Sequence, residues 1–409
     1  MVLRIVINPA TLYPMPRFEP FAALRYSTTK STDITALTSA PYDVFDEDQR
    51  AAYAATDSHN IVLLDYPIEA DGPSRYQLSS DRLNEWRKSG HIITDDSPTF
   101  SIYRMTFTDE AGTQRTTVGV IGALEVVDEG AGGVLPHERT TPKAKTDRLD
   151  LTIATHANLS PVWGLSLTAG LTAALSEPGD VVAQCIDEQG VHHVLERVSD
   201  PARIATISRL VSENPVLIAD GHHRYAISRT FRDQSRTAGK PPGAELTMTY
   251  VAELVQEQLS VAAIHRLYDI DNEGLLSVLS AHYDTADAGQ VGPHTISEMD
   301  SRGSLCLVAP NGTGTFLTPR SDTFAGVREM DSARLEHALR NTEHNVTYQH
   351  GVTEVVSKLA AGIAASAILI RPVSLAEIRR TADTGELMPP KSTFFTPKLR
   401  TGMVMRDLN

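Results

Sequence analysis

The residues best suited to chemistry lie directly after a short apolar run at 216–219. That run predicts a buried strand, and a helix is expected to begin at about His222. Gly221 lets backbone N–H groups approach an anion without a Cβ atom in the way. The guanidinium of Arg224 can hold phosphate oxygens in pairs, and Asp220 can hold Mg²⁺ or orient a hydroxyl. We call residues 220–224 the Asp220 loop and interpret it as a phosphate-binding loop.

Two other interpretations of the Asp220 loop are weaker. In the first, Asp220 caps the helix and the following residues are its solvated first turn, but cations there oppose the helix dipole unless an anion binds. In the second, His222 and His223 hold zinc, but adjacent histidines diverge and neither a His-x-x-x-His pair nor a cysteine accompanies them. We therefore assign both histidines to phosphate contacts, and His223 and Asp220 are also candidate catalytic residues.

A second polar group precedes a helix predicted over 143–157. His137 and Glu138 are the candidate acid–base groups, and either one could take the proton of a substrate hydroxyl. Lys143 and Asp147 lie four residues apart on one helix face, which also describes an ordinary solvated ion pair. The remaining assignments here are Lys143 and Arg148 to phosphate, and Thr140 and Asp147 to substrate.

Two further segments lie toward the C-terminus. Residues 388–398 carry Lys391, Ser392 and Thr393 behind two prolines, but they lack the glycines of a P-loop. We assign these three residues to phosphate, on a rigid segment that would also bring Lys398 into the pocket. The alternative is a buried C-terminal strand. His265 and Arg266 end an apolar run and are assigned to substrate, although a strand end that reaches solvent would have the same pattern.

Composition restricts the partners and the compartment. Acidic residues outnumber basic ones by 51 to 37, and the net charge of −14 argues against nucleic acid and anionic membranes as partners. The two cysteines lack a Cys-x-x-Cys arrangement, as expected in a reducing compartment. The apolar N-terminus is too short for a signal peptide, and the apolar run at 360–370 is about half a membrane span. These features predict a cytoplasmic protein.

The elements that must position these residues alternate between strands and helices, which predicts a mixed α/β (α+β) fold. We expect a catalytic core over 1–269, a smaller α/β subdomain over 270–365, and a C-terminal segment, 366–409, that returns to the core. The individual predictions are strands at 60–64 and 259–267, helices at 81–89 and 202–211, and two hairpins, 100–107 with 117–127 and 181–185 with 193–198.

In this order the motifs resemble those of the domain of unknown function 1015 family across nearly the whole chain. The residues that carry the resemblance are 20–26, 40–44, 137–140 with Lys143, Asp147 and Arg148, then 219–225, 265–266, 388–393 and 397–398.

The Asp-Gly-His-His-Arg stretch is also similar to the nucleotide-phosphate loop of the ParB/sulfiredoxin superfamily and of its free-serine kinases. This resemblance implies a ParB/sulfiredoxin-like nucleotide-binding core with insertions, in which residues 221–224 bind the phosphates of ATP or ADP. It further implies that Asp220 holds Mg²⁺ and that Glu138 or His137 activates the acceptor hydroxyl.

Three functions are consistent with these features. The first is a nucleotide-dependent phosphotransferase for a small hydroxylated metabolite, with serine or phosphoserine the leading candidate and either direction of transfer open. The second is a phosphohydrolase that uses a histidine or a metal-bound water. The third is a ParB-like nucleotide switch, which the negative charge disfavours. A homodimer is compatible with all three.

Overall fold

The chain forms two compact units in a computed structural model that describes residues 15–29, 31–108, 113–138, 145–239 and 242–409. The first unit contains the described residues up to Ser260 together with Pro397–Asn409, and the second is Val261–Thr396. The mixed α/β class is confirmed, but the unit boundaries differ from the expected 269 and 366. The expected C-terminal segment begins with a strand that is internal to the second sheet, so the chain returns to the first unit only at Pro397.

The first unit contains a large sheet and a small one. Its strands are β1 (Phe18–Glu19), β2 (Ala23–Tyr26), β3 (Ile92–Thr94), β4 (Phe100–Thr108), β5 (Gln114–Glu125), β6 (Val134–Leu135), β7 (Ala157–Asn158), β8 (Val162–Ser166), β9 (Asp180–Ile186), β10 (His192–Val198), β11 (Val216–Asp220), β12 (Leu246–Glu253) and, near the C-terminus, β21 (Met405–Asp407).

Among the described residues, nine strands form the large sheet in the order β6-β11-β8-β12-β5-β4-β10-β9, with β1 beside β5. The neighbours are antiparallel except for β6 with β11 and β8 with β12. The small sheet has the order β3-β2-β21-β7. The helices of this unit are α1 (Glu47–Thr56), α2 (Val62–Asp65), α3 (Arg75–Lys88), α4 (Lys145–Thr155), α5 (Leu171–Ala174), α6 (Pro201–Ser212) and α7 (His222–Thr237).

The second unit is built on an antiparallel sheet of the order β15-β17-β16-β19-β14-β18. Its strands, with β13 at the boundary, are β13 (Ser260–Ala262), β14 (His265–Tyr268), β15 (Tyr283–Gln290), β16 (Leu305–Val308), β17 (Thr313–Pro319), β18 (Val346–Gln349), β19 (Ser366–Leu369) and β20 (Phe394–Thr396). Its helices are α8 (Asn272–Leu279), α9 (His294–Arg302), α10 (Asp331–Leu339), α11 (Val352–Ala360) and α12 (Leu375–Thr384).

Most of the individual predictions are confirmed. Both hairpins form, as β4 with β5 and β9 with β10, and α6, β11 and α7 lie where they were expected. The turn between β4 and β5, at 111–112, lies outside the described residues. The helix predicted at 81–89 is part of α3, which begins earlier, at Arg75.

Two predictions were wrong. The strand expected at 60–64 is α2, because Asn60 accepts a hydrogen bond from the Val62 N–H and donates to two neighbouring carbonyls, which starts a helical turn. A short apolar run does not distinguish a buried helical turn from a strand. The single strand expected at 259–267 is divided into β13 and β14.

The core beneath the large sheet packs tightly around one glycine. Phe18 and Phe100 stack with ring centroids 5.1 Å apart, and Gly122 of β5 lies under both rings. A Cβ atom at position 122 would lie 2.5 Å from Phe18 and 2.6 Å from Phe100. Only a residue without a side chain fits here.

Among the described residues, the helices are too short or too polar to cross a membrane.

We expect Gly122→Ala to lower the free energy of unfolding by about 1–3 kcal/mol, because the added methyl group would overpack the stacked rings of Phe18 and Phe100. The measurement is urea denaturation followed by circular dichroism. Val181→Ala, at a position that is 48% exposed, is the control and should change stability by less than about 0.5 kcal/mol. Equal stability of both variants would contradict the packing argument.

Candidate functional site

Parallel pairing of β6 with β11 brings two polar motifs together: the His137–Glu138 pair and the Asp220 loop. Val134 pairs with Val216 and Leu135 with Leu217, so the residues that follow each strand leave the sheet at the same edge. The register of β11 against β8 shifts between Ile218 and Asp220, at the end of the strand. His137 and Glu138 therefore lie beside the Asp220 loop, as the ring and backbone contacts between His137 and His222 show.

Asp220 is held between two cations. One carboxylate oxygen accepts a hydrogen bond from Arg224 Nη2 at 2.8 Å, and the other lies 3.5 Å from Lys398 Nζ. Burial alone would raise the pKa of Asp220, but the charges of Lys398 and Arg224 lower it well below the ordinary value. Asp220 is therefore ionised at neutral pH.

Gly221 gives Arg224 its position at the start of α7. Its φ angle of 82° is left-handed, and a Cβ atom there would approach Arg224 Nε to 3.0 Å. Arg224 Nη1 donates to the carbonyl of Pro161, while its buried Nε makes no hydrogen bond within the described part of the chain. Two arms of the guanidinium thus contact protein acceptors, so Arg224 braces the loop as well as bearing the charge expected of a phosphate ligand.

His137 is buried and neutral. Its Nδ1 lies 2.6 Å from the carbonyl of Ile218, a contact that assigns the ring proton to Nδ1. Burial lowers the pKa of His137 to about 4 in spite of that hydrogen bond. Its backbone N–H donates to Nε2 of His222 at 3.4 Å, and burial, together with His137, also lowers the pKa of His222.

Glu138 lies next to these rings and remains partly accessible. Its Oε2 is 3.8 Å from Nε2 of His137, and its side chain is 17% exposed. His223, in the first turn of α7, is half-buried. Thr140 and Lys143, which were assigned to substrate and phosphate, lie outside the described residues.

The side chains of Arg148 and Asp147, both on α4, lie in different environments. Arg148 is buried, donates through Nη1 to the carbonyl and carboxylate of Asp65, and stacks over Tyr42 with its Cζ 3.9 Å from the ring centroid. Asp147 is more exposed and accepts hydrogen bonds from Tyr76, at 2.7 Å, and from Nε of Arg148. Arg224 contributes to the electrostatic environment of both Asp65 and Tyr42, so Arg148 belongs to the same neighbourhood as the Asp220 loop.

The remaining candidates belong to the second unit. His265 accepts a hydrogen bond from the Ile370 N–H, and burial lowers its pKa to about 4. Arg266 is also buried and donates to the carbonyl of Ile264, so neither residue is the solvated strand end that was considered. Lys391 is exposed with a φ angle of 56°.

The two hydroxyl residues that follow Lys391 are enclosed within the second unit. Ser392 is 1% exposed and contacts the carbonyl of Pro389 and the hydroxyl of Ser332. Thr393 is also buried.

Three contributors to the site were missed or only partly anticipated from the sequence. Lys398 was expected to enter a pocket on the rigid C-terminal segment, but nothing local identified Asp220 as its partner. Tyr42 belongs to the motif at 40–44, and that membership was a usable signal. Asp65 carried no signal, because it was expected to lie in the turn that follows a strand at 60–64.

A resident magnesium ion does not fit the described residues. The two oxygens of Asp220 already face Lys398 and Arg224, whose charges oppose a third cation. In the part of the chain that the structure describes, no three histidine, cysteine or carboxylate side chains form a metal-binding group. Asp220 therefore suits the role of orienting cationic side chains better than that of a lone metal ligand.

Sequence comparison settles the family. Residues 18–338 match the family described as "Protein of unknown function (DUF1015)". The chain belongs to the DUF1015 family. The membership expected from the motifs is thereby confirmed, and no curated protein matches this DUF1015 protein significantly.

Solved structures show only distant likeness to this DUF1015 protein. A conserved hypothetical protein from Pyrococcus furiosus aligns with 64% of this chain and 87% of its own, at 12% identity and a TM-score of 0.36. Free serine kinase in complex with AMP aligns with 64% of this chain and 83% of its own, at 14% identity and a TM-score of 0.36. SbnI with C-terminal truncation from Staphylococcus aureus aligns with 69% of this chain and 85% of its own, at 12% identity and a TM-score of 0.38. Similarity at this level does not transfer an activity.

The neutral state of His137 predicts an acid-sensitive DUF1015 protein. Its folded pKa of about 4 lies below the ordinary 6.5, so the unfolded chain binds this proton more readily than the folded one. The associated stability is full above about pH 6.5 and is lost as the pH falls toward 4, by up to about 3 kcal/mol.

His137→Asn keeps an N–H donor for Ile218 and removes the titration, so the variant should lose less stability than the wild type between pH 6.5 and 4. The measurement is urea denaturation across this pH range. His192→Asn, at an exposed position on β10, is the control and should retain the wild-type slope. A wild-type slope in His137→Asn would contradict the assignment.

Proposed function

We propose that this protein is a nucleotide-dependent phosphotransferase that acts on a small hydroxylated metabolite, with serine or phosphoserine the leading candidate. The observation that carries the proposal is the convergence of the His137–Glu138 pair with the Asp220 loop at one edge of the large sheet. Phosphoryl transfer requires mainly phosphate cradles, cations and a base, and these are the groups that converge here.

The nucleotide phosphates are proposed to bind at the start of α7. The backbone N–H groups of the first turn lack helical acceptors, and Gly221 leaves their approach open. Lys398 and Arg224 add positive charge beside them. ATP or ADP is the donor we propose, and Mg²⁺ enters with its phosphates rather than from a resident site. The similarity of the Asp220–Arg224 sequence to the ParB/sulfiredoxin phosphate loop supports the same placement.

We propose Glu138 as the base that acts on the acceptor hydroxyl. His137 is a poor alternative because its Nδ1 proton is committed to Ile218 and its pKa is only about 4. As the acceptor oxygen attacks the terminal phosphorus, its proton passes to Glu138 and the bond to the leaving phosphate oxygen breaks. The products are a phosphorylated metabolite and a nucleotide one phosphoryl group shorter. The reverse transfer uses the same groups.

A phosphohydrolase is the second candidate, favoured by one specific observation. The hydrogen bond from Nδ1 of His137 to Ile218 leaves Nε2 as the ring's lone-pair nitrogen, which is the arrangement of a nucleophilic histidine. Release of phosphate from phosphoserine in the absence of any nucleotide, abolished in His137→Asn, would favour this candidate over the kinase.

Nucleotide binding is tested by thermal shift with ADP, ATP, CTP and pyrophosphate, each with Mg²⁺. A ligand at about 100 times its Kd stabilises the folded state by roughly 2.7 kcal/mol, so at least one nucleotide should raise the Tm of the wild type by several degrees. The shift should disappear in Arg224→Ala. Arg229→Ala on the same helix, where Arg229 pairs with the exposed Glu129, is the matched control and should keep it. Absence of a shift with every phosphate compound would exclude the proposal.

The role of Glu138 is tested by Glu138→Gln, which keeps the shape of the side chain and removes its basicity. We expect kcat for serine phosphorylation to fall by about 10²–10⁴-fold, with the nucleotide thermal shift unchanged. Glu129→Gln, at an exposed position, is the control and should keep wild-type kcat. Full activity in Glu138→Gln would remove this residue from the mechanism.

A further inference from the structure

Lys398 reaches the Asp220 loop from a segment of the chain that has to be anchored. The first unit takes up the chain again at Pro397, so Lys398 is the second residue of that return. Its Nζ lies 3.5 Å from Asp220. Burial raises the pKa of Asp220, and Lys398 is the largest of the opposing influences that lower it. The contacts that anchor the chain just after Lys398 therefore decide whether the Asp220 loop has its second cation.

The side chain of Arg400 provides such an anchor. Arg400 is 4% exposed although it carries a full charge. Its guanidinium donates to both carboxylate oxygens of Glu188, at 2.7 and 3.1 Å, and its Cζ lies 5.5 Å from the ring centroid of Tyr53. A planar guanidinium that is held at two points has a defined orientation relative to its partner. This ion pair therefore fastens Arg400 to the turn that connects β9 and β10, residues 187–191.

The backbone of Arg400 is held by a second set of contacts. Its N–H donates to the hydroxyl of Tyr103 at 3.1 Å, and that hydroxyl lies 2.9 Å from Nδ1 of His193. Nε2 of His193 lies 3.2 Å from Oδ2 of Asp187. Burial lowers the pKa of His193, so the ring carries one proton at neutral pH. We assign that proton to Nε2, which donates to Asp187, and the Tyr103 hydroxyl then donates to Nδ1.

Both sets of contacts begin at neighbouring carboxylates of the 187–191 turn. Glu188 holds the side chain of Arg400, and Asp187 holds its backbone through two intervening rings. The Asp187 carboxylate also accepts two backbone N–H groups of the same turn, which gives the turn a fixed shape. Arg400 is therefore fixed both at its side chain and at its backbone.

Little slack remains between Arg400 and Lys398. Leu399 is the one residue between them in sequence, and it is buried. Two residues span at most about 7 Å of chain, so a displacement of Arg400 moves the backbone of Lys398 with it. On the other side of Arg400, Thr401 exchanges two backbone hydrogen bonds with Ser39, at 2.9 and 3.2 Å.

We infer that Arg400 is a positioning residue for the phosphate site: by fastening the chain to the 187–191 turn, it holds the amine of Lys398 beside Asp220. The side chain of Glu188 is 58% exposed, so this chain of contacts connects a surface position to the Asp220 loop. Loss of charge at Glu188 would then release Lys398. The consequence for nucleotide phosphates rests on the proposed phosphotransferase function, whereas the placement of Lys398 does not.

Acetylation of lysine side chains by acetic anhydride, followed by mass spectrometry, tests the placement of Lys398 in the full chain without any nucleotide. Lys88, exposed at the end of α3, is the internal reference. The side chain of Lys398 is 16% exposed, so it should react more slowly than Lys88 in the wild type. Arg400→Gln removes the anchoring charge and should raise the Lys398/Lys88 ratio at least about threefold, because a released side chain spends more time in solvent.

A second variant changes the exposed end of the same ion pair. Glu188→Gln keeps the shape of its side chain at an accessible position, so it decides the question even where Arg400→Gln does not fold. It should raise the Lys398/Lys88 ratio at least about twofold. Glu213→Gln removes a charge from an exposed pair with Arg209 and is the matched control, with the wild-type ratio expected. A wild-type ratio in either folded anchor variant would overturn the inference.

A double-mutant cycle connects the anchor to nucleotide binding. Isothermal titration gives the Kd for ATP and for ADP, each with Mg²⁺. Glu188→Gln should weaken the nucleotide that binds by at least about threefold when Lys398 is present, and by less than about 1.5-fold in the Lys398→Met background. Equal factors in both backgrounds would overturn the positioning role. If neither nucleotide binds to the wild type, the proposed function fails, and the acetylation ratios still decide the placement of Lys398.

Discussion

The short parallel pairing between β6 and β11 is the constraint on which the site depends. It involves only Val134 with Val216 and Leu135 with Leu217, yet it sets the edge of the sheet from which both polar motifs emerge. Antiparallel pairing would send the residues that follow each strand to opposite ends. The hydrogen bond from Nδ1 of His137 to the carbonyl of Ile218 and the contact between His137 and His222 then hold the two emerging segments together.

Buried charge is the second organising feature of this region. Removing Asp220, Arg224, Asp65 and Arg148 from water is unfavourable, and each is compensated by a partner at short range. Hydrophobic residues of similar size could stabilise the fold at least as well. The arrangement is therefore better understood as one that holds oriented, paired charges beside the Asp220 loop.

The sequence identified those parts of the site that are local along the chain. The strand at 216–219 and the helix after Gly221 were predictable, because a short apolar run followed by a glycine is a local pattern. The choice of His137 and Glu138 as candidate acid–base groups likewise needed only their residue types. The partnership of Lys398 with Asp220 and that of Arg148 with Asp65 were not. Both depend on contacts between residues far apart in sequence, and α2, which carries Asp65, was mistaken for a strand.

The contact between Lys398 and Asp220 also has a consequence for biosynthesis. During translation, the Asp220 loop leaves the ribosome long before Lys398 has been made, with the whole second unit still to follow. The loop therefore acquires its second cation only late in synthesis. Domains generally fold as units from the N-terminus, so the first unit remains without this closing contact while the second unit is being made. A truncated or stalled chain would carry an Asp220 loop that lacks part of its charge compensation.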